Sequence, residues 1–244
     1  SPRLGAGVAI IILRGIIMNI PLSNRLKACC RLVTPGDRVA DIGCDHGYLG
    51  IHLLQENIAA SVIAADINEG PLQSAKRNAN KFGVTDRITF HLSDGVKSIP
   101  REFDTLVCAG MGADTMISIL DAAQWLKDKK YRLILQCQSR RPELRKYLYD
   151  QGFSISRETL AKDGRFIYPV MEVVYAPSPA LSPAQYHITP ALLESGSNLL
   201  PAFYRMVISG LTNSVEGLSR TGGEKYEHYK AILQELKELE DTIN

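Results

Sequence analysis

Apolar residues recur with two different periods along this chain. Short apolar runs, typical of buried strands, alternate with longer segments in which apolar positions fall three or four residues apart, as in amphipathic helices. Strands separated by about ten to fifteen helical residues need crossover connections, so we expect a doubly wound, mostly parallel α/β sheet. The predicted strands cover residues 38–42, 60–65, 88–92, 105–108, 131–137, 152–159 and 165–175, and the predicted helices cover 19–33, 48–56, 71–82, 113–125, 142–150, 199–218 and 224–243.

The end of the chain follows a different pattern. The last two predicted strands are joined by only the short turn 162–164, so we expect them to pair antiparallel. Four prolines then lie between residues 177 and 190, and no strand pattern returns. We therefore predict a second domain over 177–244, in which two helices separated by the turn 219–223 pack antiparallel as a short coiled coil.

The beginning of the chain does not follow the strand and helix pattern of the first domain. The segment 4–20 is largely apolar, but Arg14 interrupts it, and it is too short to span a bilayer comfortably. Met18 is followed at once by a well-patterned segment. We expect residues 1–17 to be an added leader, the first domain to cover 18–176, and the protein to have no membrane anchor.

Composition and charge narrow the function classes. The chain has 45% hydrophobic and 22% charged residues, which excludes wholesale disorder, a collagen-like chain and a membrane bundle. With 28 basic and 26 acidic residues, nucleic-acid binding would need a local basic patch. Five cysteines without a CxxC pair indicate reduced thiols, and hence a cytoplasmic protein.

The segment from Val39 to Leu49 predicts a strand, a glycine-bearing turn and a helix, an arrangement typical of nucleotide pockets. Gly43 would let the backbone turn sharply against a ligand, and Gly47 would allow close packing where the helix begins. A dinucleotide would place its pyrophosphate beside Asp41 and Asp45, which would repel it. S-adenosylmethionine fits better, because its sulfonium and ammonium groups attract carboxylates while backbone amides hold its own carboxylate. A plain strand-to-helix connection remains the alternative.

Acidic residues also follow the next two predicted strands. Asp66 ends the second strand, where a carboxylate can accept from ribose hydroxyls, and Asp94 follows the third, within reach of an adenine amine. Each alone could be a helix cap or a solvated turn residue. Their recurrence at successive strand ends favours a cofactor site.

The motifs DIGCDHGYL, AADIN, LSDG and CAGMGAD together resemble the bacterial tRNA (adenine-N1)-methyltransferases that act on adenine 22 of tRNA. The resemblance runs from Met18 to about Leu239. It implies a class I Rossmann-like domain with a C-terminal coiled coil, S-adenosylmethionine as cofactor and tRNA as partner. The cofactor residues that it implies are Asp41, Gly43, Cys44, Asp45, His46, Gly47 and Tyr48 in the first loop, Asp66 and Ile67 at the ribose, Asp94 and Gly95 at the adenine, and Gly110 and Met111 beside the methyl group.

The sequence departs from the usual methyltransferase pattern in two ways. Asp45 replaces the middle glycine of the turn, and AGMGA lacks the Asn-Pro-Pro-Tyr or Asp-Pro-Pro-Tyr motif that clamps an exocyclic amine. The second departure argues against methylation at such an amine. Adenine N1 carries an in-plane lone pair, so its methylation needs positioning and desolvation more than a strong base. A carboxylate would still favour proton loss from the exocyclic amine, and Asp41, Asp45 and Asp114 are equal candidates. We interpret His46 as a hydrogen-bonding wall, and we expect no metal.

Basic residues that could bind RNA follow the predicted strand 131–137, where open α/β sheets place their ligands. A solvated helix face is the alternative reading of this cluster. The main functional hypothesis is tRNA adenine-N1 methylation, and the alternatives are a small-molecule methyltransferase and a noncatalytic RNA-binding module. The oligomeric state stays open. The predicted RNA-binding residues are Arg140, Arg141, Arg145 and Lys146.

Overall fold

The computed structural model describes residues 20–243, and the predicted leader 1–17 lies outside the described residues. Within the described part, seven strands form one sheet. The strands are β1 (Arg38–Ile42), β2 (Ser61–Asp66), β3 (Ile88–Leu92), β4 (Thr105–Met111), β5 (Arg132–Cys137), β6 (Phe153–Asp163) and β7 (Phe166–Tyr175).

The order of strands across the sheet is β3-β2-β1-β4-β5-β7-β6. The first five strands of the chain pair in parallel, whereas β7 runs antiparallel between β5 and β6. This confirms the predicted doubly wound sheet with an antiparallel end. The strand order reverses at β1, with β2 on one side and β4 on the other, and ligands of open α/β sheets bind at the carboxyl ends of strands at such a point.

Helices cover both faces of the sheet. The helices of the first domain are α1 (Asn24–Leu32), α2 (Tyr48–Gln55), α3 (Glu69–Lys81), α4 (Ala113–Asp121) and α5 (Arg141–Asp150). The first three pack in one core cluster, and α4 and α5 pack in another on the opposite face. Central strands such as β1 and β5 are buried on both faces, which explains their continuous apolar runs.

The first helix begins later than its apolar spacing predicts. It starts at Asn24 rather than at residue 19, because Ser23 caps it by accepting a hydrogen bond from the Leu26 amide at 3.5 Å. No helix within residues 20–243 is long and apolar enough to cross a membrane.

The helical appendage after β7 is present as predicted. It contains α6 (Pro190–Leu193), α7 (Leu200–Leu218), α8 (Glu224–Lys237) and α9 (Glu240–Ile243), and α7 and α8 form a helical hairpin. Its core cluster also includes Leu160 of β6 and Ile167 of β7. The appendage therefore shares apolar contacts with the sheet across the boundary predicted at residue 176.

A buried ion pair lies at the junction, which we define as the contact between α5, β6 and the segment 186–189. Arg145 pairs with Glu158, and its guanidinium also donates to the carbonyls of Tyr186 at 2.9 Å and His187 at 3.1 Å. Thr189 donates to the other oxygen of Glu158. Arg145 and Glu158 are both buried, so this network is part of the interior.

Candidate functional site

The turn after β1 depends on glycine at two positions. The φ angles of Gly43, Asp45 and Gly47 are 72°, 49° and 73°, which are left-handed values. A Cβ atom on Gly43 would lie 2.3 Å from the Met111 methyl carbon, and one on Gly47 would lie 2.9 Å from the Cβ of Ala75. The left-handed backbone therefore favours glycine at both positions, and at 47 the rigid Ala75 also leaves no room for a Cβ atom, whereas the flexible end of Met111 can move away from position 43.

Two cavities open beside this turn, and Gly43 and Met111 line both of them. The larger has a volume of about 510 Å³ and is called the Asp66 compartment. The smaller, of about 300 Å³, is called the Asp41 compartment. They form one cleft with Met111 between its halves. Of the predicted residues, Asp66, Ile67, Asp94, Gly95 and Asp114 line the Asp66 compartment, and Asp41, Cys44, Asp45, His46, Tyr48 and Gly110 line the Asp41 compartment.

Asp66 is held rigidly at the end of β2. Its Oδ1 accepts from the Asn68 amide at 2.9 Å, and its Oδ2 accepts from the Asp45 amide at 3.2 Å. The second bond ties the glycine turn to the neighbouring strand. Ile67, in contrast, is 62% exposed at the rim, where it offers an apolar surface.

Asp41 is buried in the other compartment, and its Oδ2 has no hydrogen-bond partner among the described residues. Burial raises the pKa of this carboxyl to about 7, and the nearby charge of Asp66 adds to the rise, whereas the Gly50 amide opposes it by donating a hydrogen bond. Perturbed carboxyls in clefts are frequent at functional sites.

Asp45 and His46 lie at the rim of the Asp41 compartment. Their side chains are 70% and 53% exposed, and the His46 Nε2 is 3.7 Å from an Asp45 oxygen. The third candidate proton acceptor, Asp114, is separated from them because it lines the Asp66 compartment. Arg140 binds its two oxygens at 2.8 and 3.0 Å.

The motifs did not indicate two residues that shape the Asp41 compartment, one in its wall and one behind it. Arg25 of α1 lines it, and its Nη1 donates to the buried Gln136 side chain at 3.0 Å. The same Gln136 oxygen accepts from the Gly110 amide at 3.1 Å. A polar residue within the apolar strand β5 was the available signal for Gln136, whereas Arg25 looks in sequence like any solvated helix residue.

The predicted RNA-binding residues do not form one surface. Arg140 and Lys146 are exposed, and Arg141 is partly buried with its guanidinium 5.7 Å from the Phe203 ring centre. The prediction for Arg145 was wrong, because its side chain is only 1% exposed and pairs with Glu158 at the junction. Sequence spacing alone could not separate this structural arginine from its exposed neighbours.

Comparisons with known proteins support the motif resemblance. A family model described as "Methyltransferase domain" matches residues 22–171. The tRNA (adenine(22)-N(1))-methyltransferase of Bacillus subtilis is 33% identical over 153 residues, which cover 62% of this chain and 64% of that enzyme. The chain thus spans just under two thirds of the length of this curated relative.

Solved structures extend the similarity to the appendage. The crystal structure of the Bacillus subtilis m1A22 tRNA methyltransferase has a TM-score of 0.75 and 26% identity, covering 92% of this chain and 98% of that chain. A Streptococcus pneumoniae protein in complex with S-adenosyl-L-methionine has a TM-score of 0.76 and 28% identity, covering 90% of this chain and 99% of that chain. The match to the family model spans more than half of the chain, which therefore belongs to the methyltransferase domain family.

Proposed function

We propose that this protein transfers a methyl group from S-adenosylmethionine to N1 of adenine 22 in tRNA. The observation that carries the proposal is the cleft whose two compartments meet at Gly43 and Met111. One compartment contains the fixed carboxylate of Asp66, and the other contains Asp41, whose Oδ2 has no hydrogen-bond partner among the described residues. Such a cleft suits a ligand with a nucleoside at one end and a cation at the other. The similarity to the Bacillus subtilis enzyme supports tRNA as the substrate.

The residues of the Asp66 compartment fit the nucleoside half of this cofactor. Each Asp66 oxygen accepts one backbone hydrogen bond, which leaves acceptor capacity for ribose hydroxyls. Ile67 and Met111 provide apolar contact for a flat adenine ring, and Asp94 and Gly95 line the same compartment.

The residues of the Asp41 compartment fit the amino-acid half. The free Asp41 Oδ2 can accept from an ammonium group. The Tyr48 and Leu49 amides open α2, where no preceding helical turn supplies an acceptor, so they can donate to a carboxylate. Asp45 adds negative charge at the rim, and Cys44 is buried behind it.

The chain's own residues would prepare the acceptor base. When bound, S-adenosylmethionine supplies an electrophilic methyl group. Gly110 and Met111 would form the wall that excludes water beside it and would orient the edge of the target adenine toward it. We assign Asp45 as the proton acceptor for the exocyclic amine, since it lies exposed at the rim of that compartment. Asp114 suits the role less, because Arg140 already binds it in the other compartment.

Asp41 would couple cofactor binding to pH. A bound ammonium group favours the ionised carboxyl, so binding lowers a pKa that is about 7 in the free protein. The proton must leave Asp41 before the pair can form. Cofactor affinity should therefore rise as the pH increases from 5.5 to 7.

For the tRNA we propose phosphate contacts at Arg140, Arg141 and Lys146. Arg140 and Lys146 already pair with nearby carboxylates, so each phosphate would compete with an exposed ion pair of small energy. The helical appendage lies beside α5 and would add recognition of tRNA shape. A tRNA substrate implies a cytoplasmic site of action.

The proposal is tested by incubating the protein with bulk tRNA and labelled S-adenosylmethionine and then analysing the nucleosides. We expect label in 1-methyladenosine only. Label in another nucleoside would contradict the choice of N1, and transfer to small molecules but not to tRNA would favour a small-molecule methyltransferase. Cofactor binding without any transfer would favour the noncatalytic RNA-binding module.

A further inference from the structure

The hairpin of β6 and β7 extends past the rest of the sheet at the edge that carries the cleft. The registered pairing of β5 with β7 ends at Leu135 opposite Met171, and the remaining residues of β7, 166–170, pair with β6 alone. Strand β5 itself continues to Cys137, two residues beyond Leu135, so only residues 166–168 of β7 extend past its end. At about 3.3 Å per residue, this extension is about 10 Å long. Because β7 is antiparallel to β5, this extension lies at the carboxyl edge of the parallel strands.

Helix α1 holds the hairpin end next to the Asp41 compartment. The Asn24 side chain donates to the Lys162 carbonyl at 2.9 Å, and the Arg25 Nε is 3.6 Å from an Asp163 oxygen. Arg25 itself lines the compartment. Arg25 therefore lies between the hairpin end and the compartment in which we propose that methyl transfer occurs.

The hairpin end exposes an aromatic ring among cations. Phe166 is 47% exposed, the Arg165 guanidinium lies 4.9 Å from its ring centre, and the Tyr168 ring centre is 6.1 Å away. Lys162 is also exposed. Aromatic faces beside cations bind single-stranded nucleic acid, since the ring stacks on a base while the cation attracts phosphate.

We propose that this hairpin end binds an unpaired tRNA nucleotide next to the target adenine, with Phe166 stacked on its base and Arg165 and Lys162 near its phosphates. The inference rests on the proposed function and adds a substrate contact to it. An RNA base is favoured over a protein side chain for a geometric reason. The target adenine must leave its stack to reach the wall formed by Gly110 and Met111, and its neighbour then loses a stacking partner.

The first test measures tRNA binding by fluorescence anisotropy for Phe166→Ala, Phe166→Trp and Arg165→Glu. We expect Phe166→Ala to weaken binding roughly five-fold or more, which is the lower end for the loss of one stacked base. Phe166→Trp keeps an aromatic ring at this position and should bind tRNA as tightly as the wild type does. Arg165→Glu should weaken tRNA binding and reduce its salt dependence. Cofactor affinity should stay unchanged in all three.

A control pair with the same cation–aromatic arrangement lies at the end of α3, where Lys81 is 5.7 Å from the ring centre of Phe82, which is partly buried against the core, so the folding of its variant is checked by circular dichroism. This helix starts at the cleft and runs toward the opposite edge of the sheet, so Phe82→Ala and Lys81→Glu should leave tRNA affinity unchanged. Unchanged affinity in Phe166→Ala, or an equal loss in Phe82→Ala, overturns the inference. If the hairpin end binds a protein partner instead of RNA, Phe166→Ala should leave tRNA affinity unchanged.

A second measurement needs no variant. Full-length tRNA substituted with 4-thiouridine is photocrosslinked to the wild-type protein, and the crosslinked peptides are identified by mass spectrometry. Crosslinks within residues 162–168 support the inference, and crosslinks confined to other segments overturn it. Both tests read binding rather than methyl transfer. A protein that binds through the hairpin but transfers no methyl group would therefore refute the proposed function alone.

Discussion

Asp41 in the cleft and Glu158 at the junction are both buried carboxylates, yet their surroundings are opposite. Glu158 accepts from Arg145 and Thr189, so its charge is paired and both oxygens are bonded. Asp41 keeps one oxygen without a partner among the described residues, and its pKa is raised. The first arrangement maintains the fold. The second is unfavourable in the free protein, and the cationic ligand that we propose would complete it.

The largest expected effect comes from breaking the junction. Glu158→Ala leaves the Arg145 charge buried without its partner, and we expect a loss of about 3–5 kcal/mol in the free energy of unfolding. Urea unfolding measures it. The double variant Arg145→Met with Glu158→Leu removes both charges and should lose much less. A single variant as stable as the wild type would show that the pair is dispensable.

Asp41→Asn should raise the free energy of unfolding, in contrast to Glu158→Ala, which should lower it. The folded pKa is about 7 and the ordinary value is 3.8, so the folded state binds the proton more tightly. Stability is therefore retained at low pH and falls as the pH rises from about 4 to 7. The variant avoids this fall and should gain up to about 4 kcal/mol at pH 8, with little change near pH 4.

The same variant should bind S-adenosylmethionine more weakly and lose the increase in affinity between pH 5.5 and 7. Thermal unfolding and calorimetry at several pH values check both effects. A variant that is destabilised at pH 8, or that binds cofactor as the wild type does, would remove Asp41 from its proposed role.

Asp66→Ala should weaken cofactor binding by about 1–3 kcal/mol, since ribose hydroxyls would be left without their acceptor. The Asp45 amide also loses its partner, so the turn should become more mobile. Calorimetric titration gives the dissociation constant. An unchanged constant would assign the ribose contact to another residue.

The smallest effect concerns the exposed arginine at the start of α5. Arg140→Gln should reduce the salt dependence of tRNA binding by about one phosphate contact and leave cofactor affinity unchanged. Lys129→Gln is the matched control, because Lys129 is exposed before β5, at the opposite edge of the sheet. If tRNA binding has the same salt dependence in the wild type, Arg140→Gln and Lys129→Gln, Arg140 is a solvated residue that does not contact phosphate.

The central strands of the sheet were predictable because they are buried on both faces and read as largely apolar runs. The predicted and observed bounds of β1 and β3 coincide. The helix α6 was missed because a single turn led by Pro190 has too few residues to show a period. Strand β4 continues to Met111 through an irregularity at Ala109, whereas its predicted end at 108 followed the apolar run.

The site was only partly predictable, because its residues are of two kinds. Residues close to strand ends, such as Asp41 and Asp66, can be placed from the order of strands along the chain, because the carboxyl ends of parallel strands lie at the same edge of the sheet. Arg25 depends on a contact with Gln136, which lies 111 positions away in the sequence. Arg145 and Arg140 look alike in sequence, and only the packing of α5 against β6 and the segment 186–189 makes one structural and leaves the other exposed.

The most direct test of the central claim is primer extension on tRNA after incubation with the protein and S-adenosylmethionine. A methyl group on N1 blocks the base-pairing edge of adenine, so we predict a stop at position 22 that requires both protein and cofactor. A tRNA carrying guanine at position 22 should show no new stop and incorporate no label. A stop at another position, or label incorporated into the guanine variant, would contradict the account.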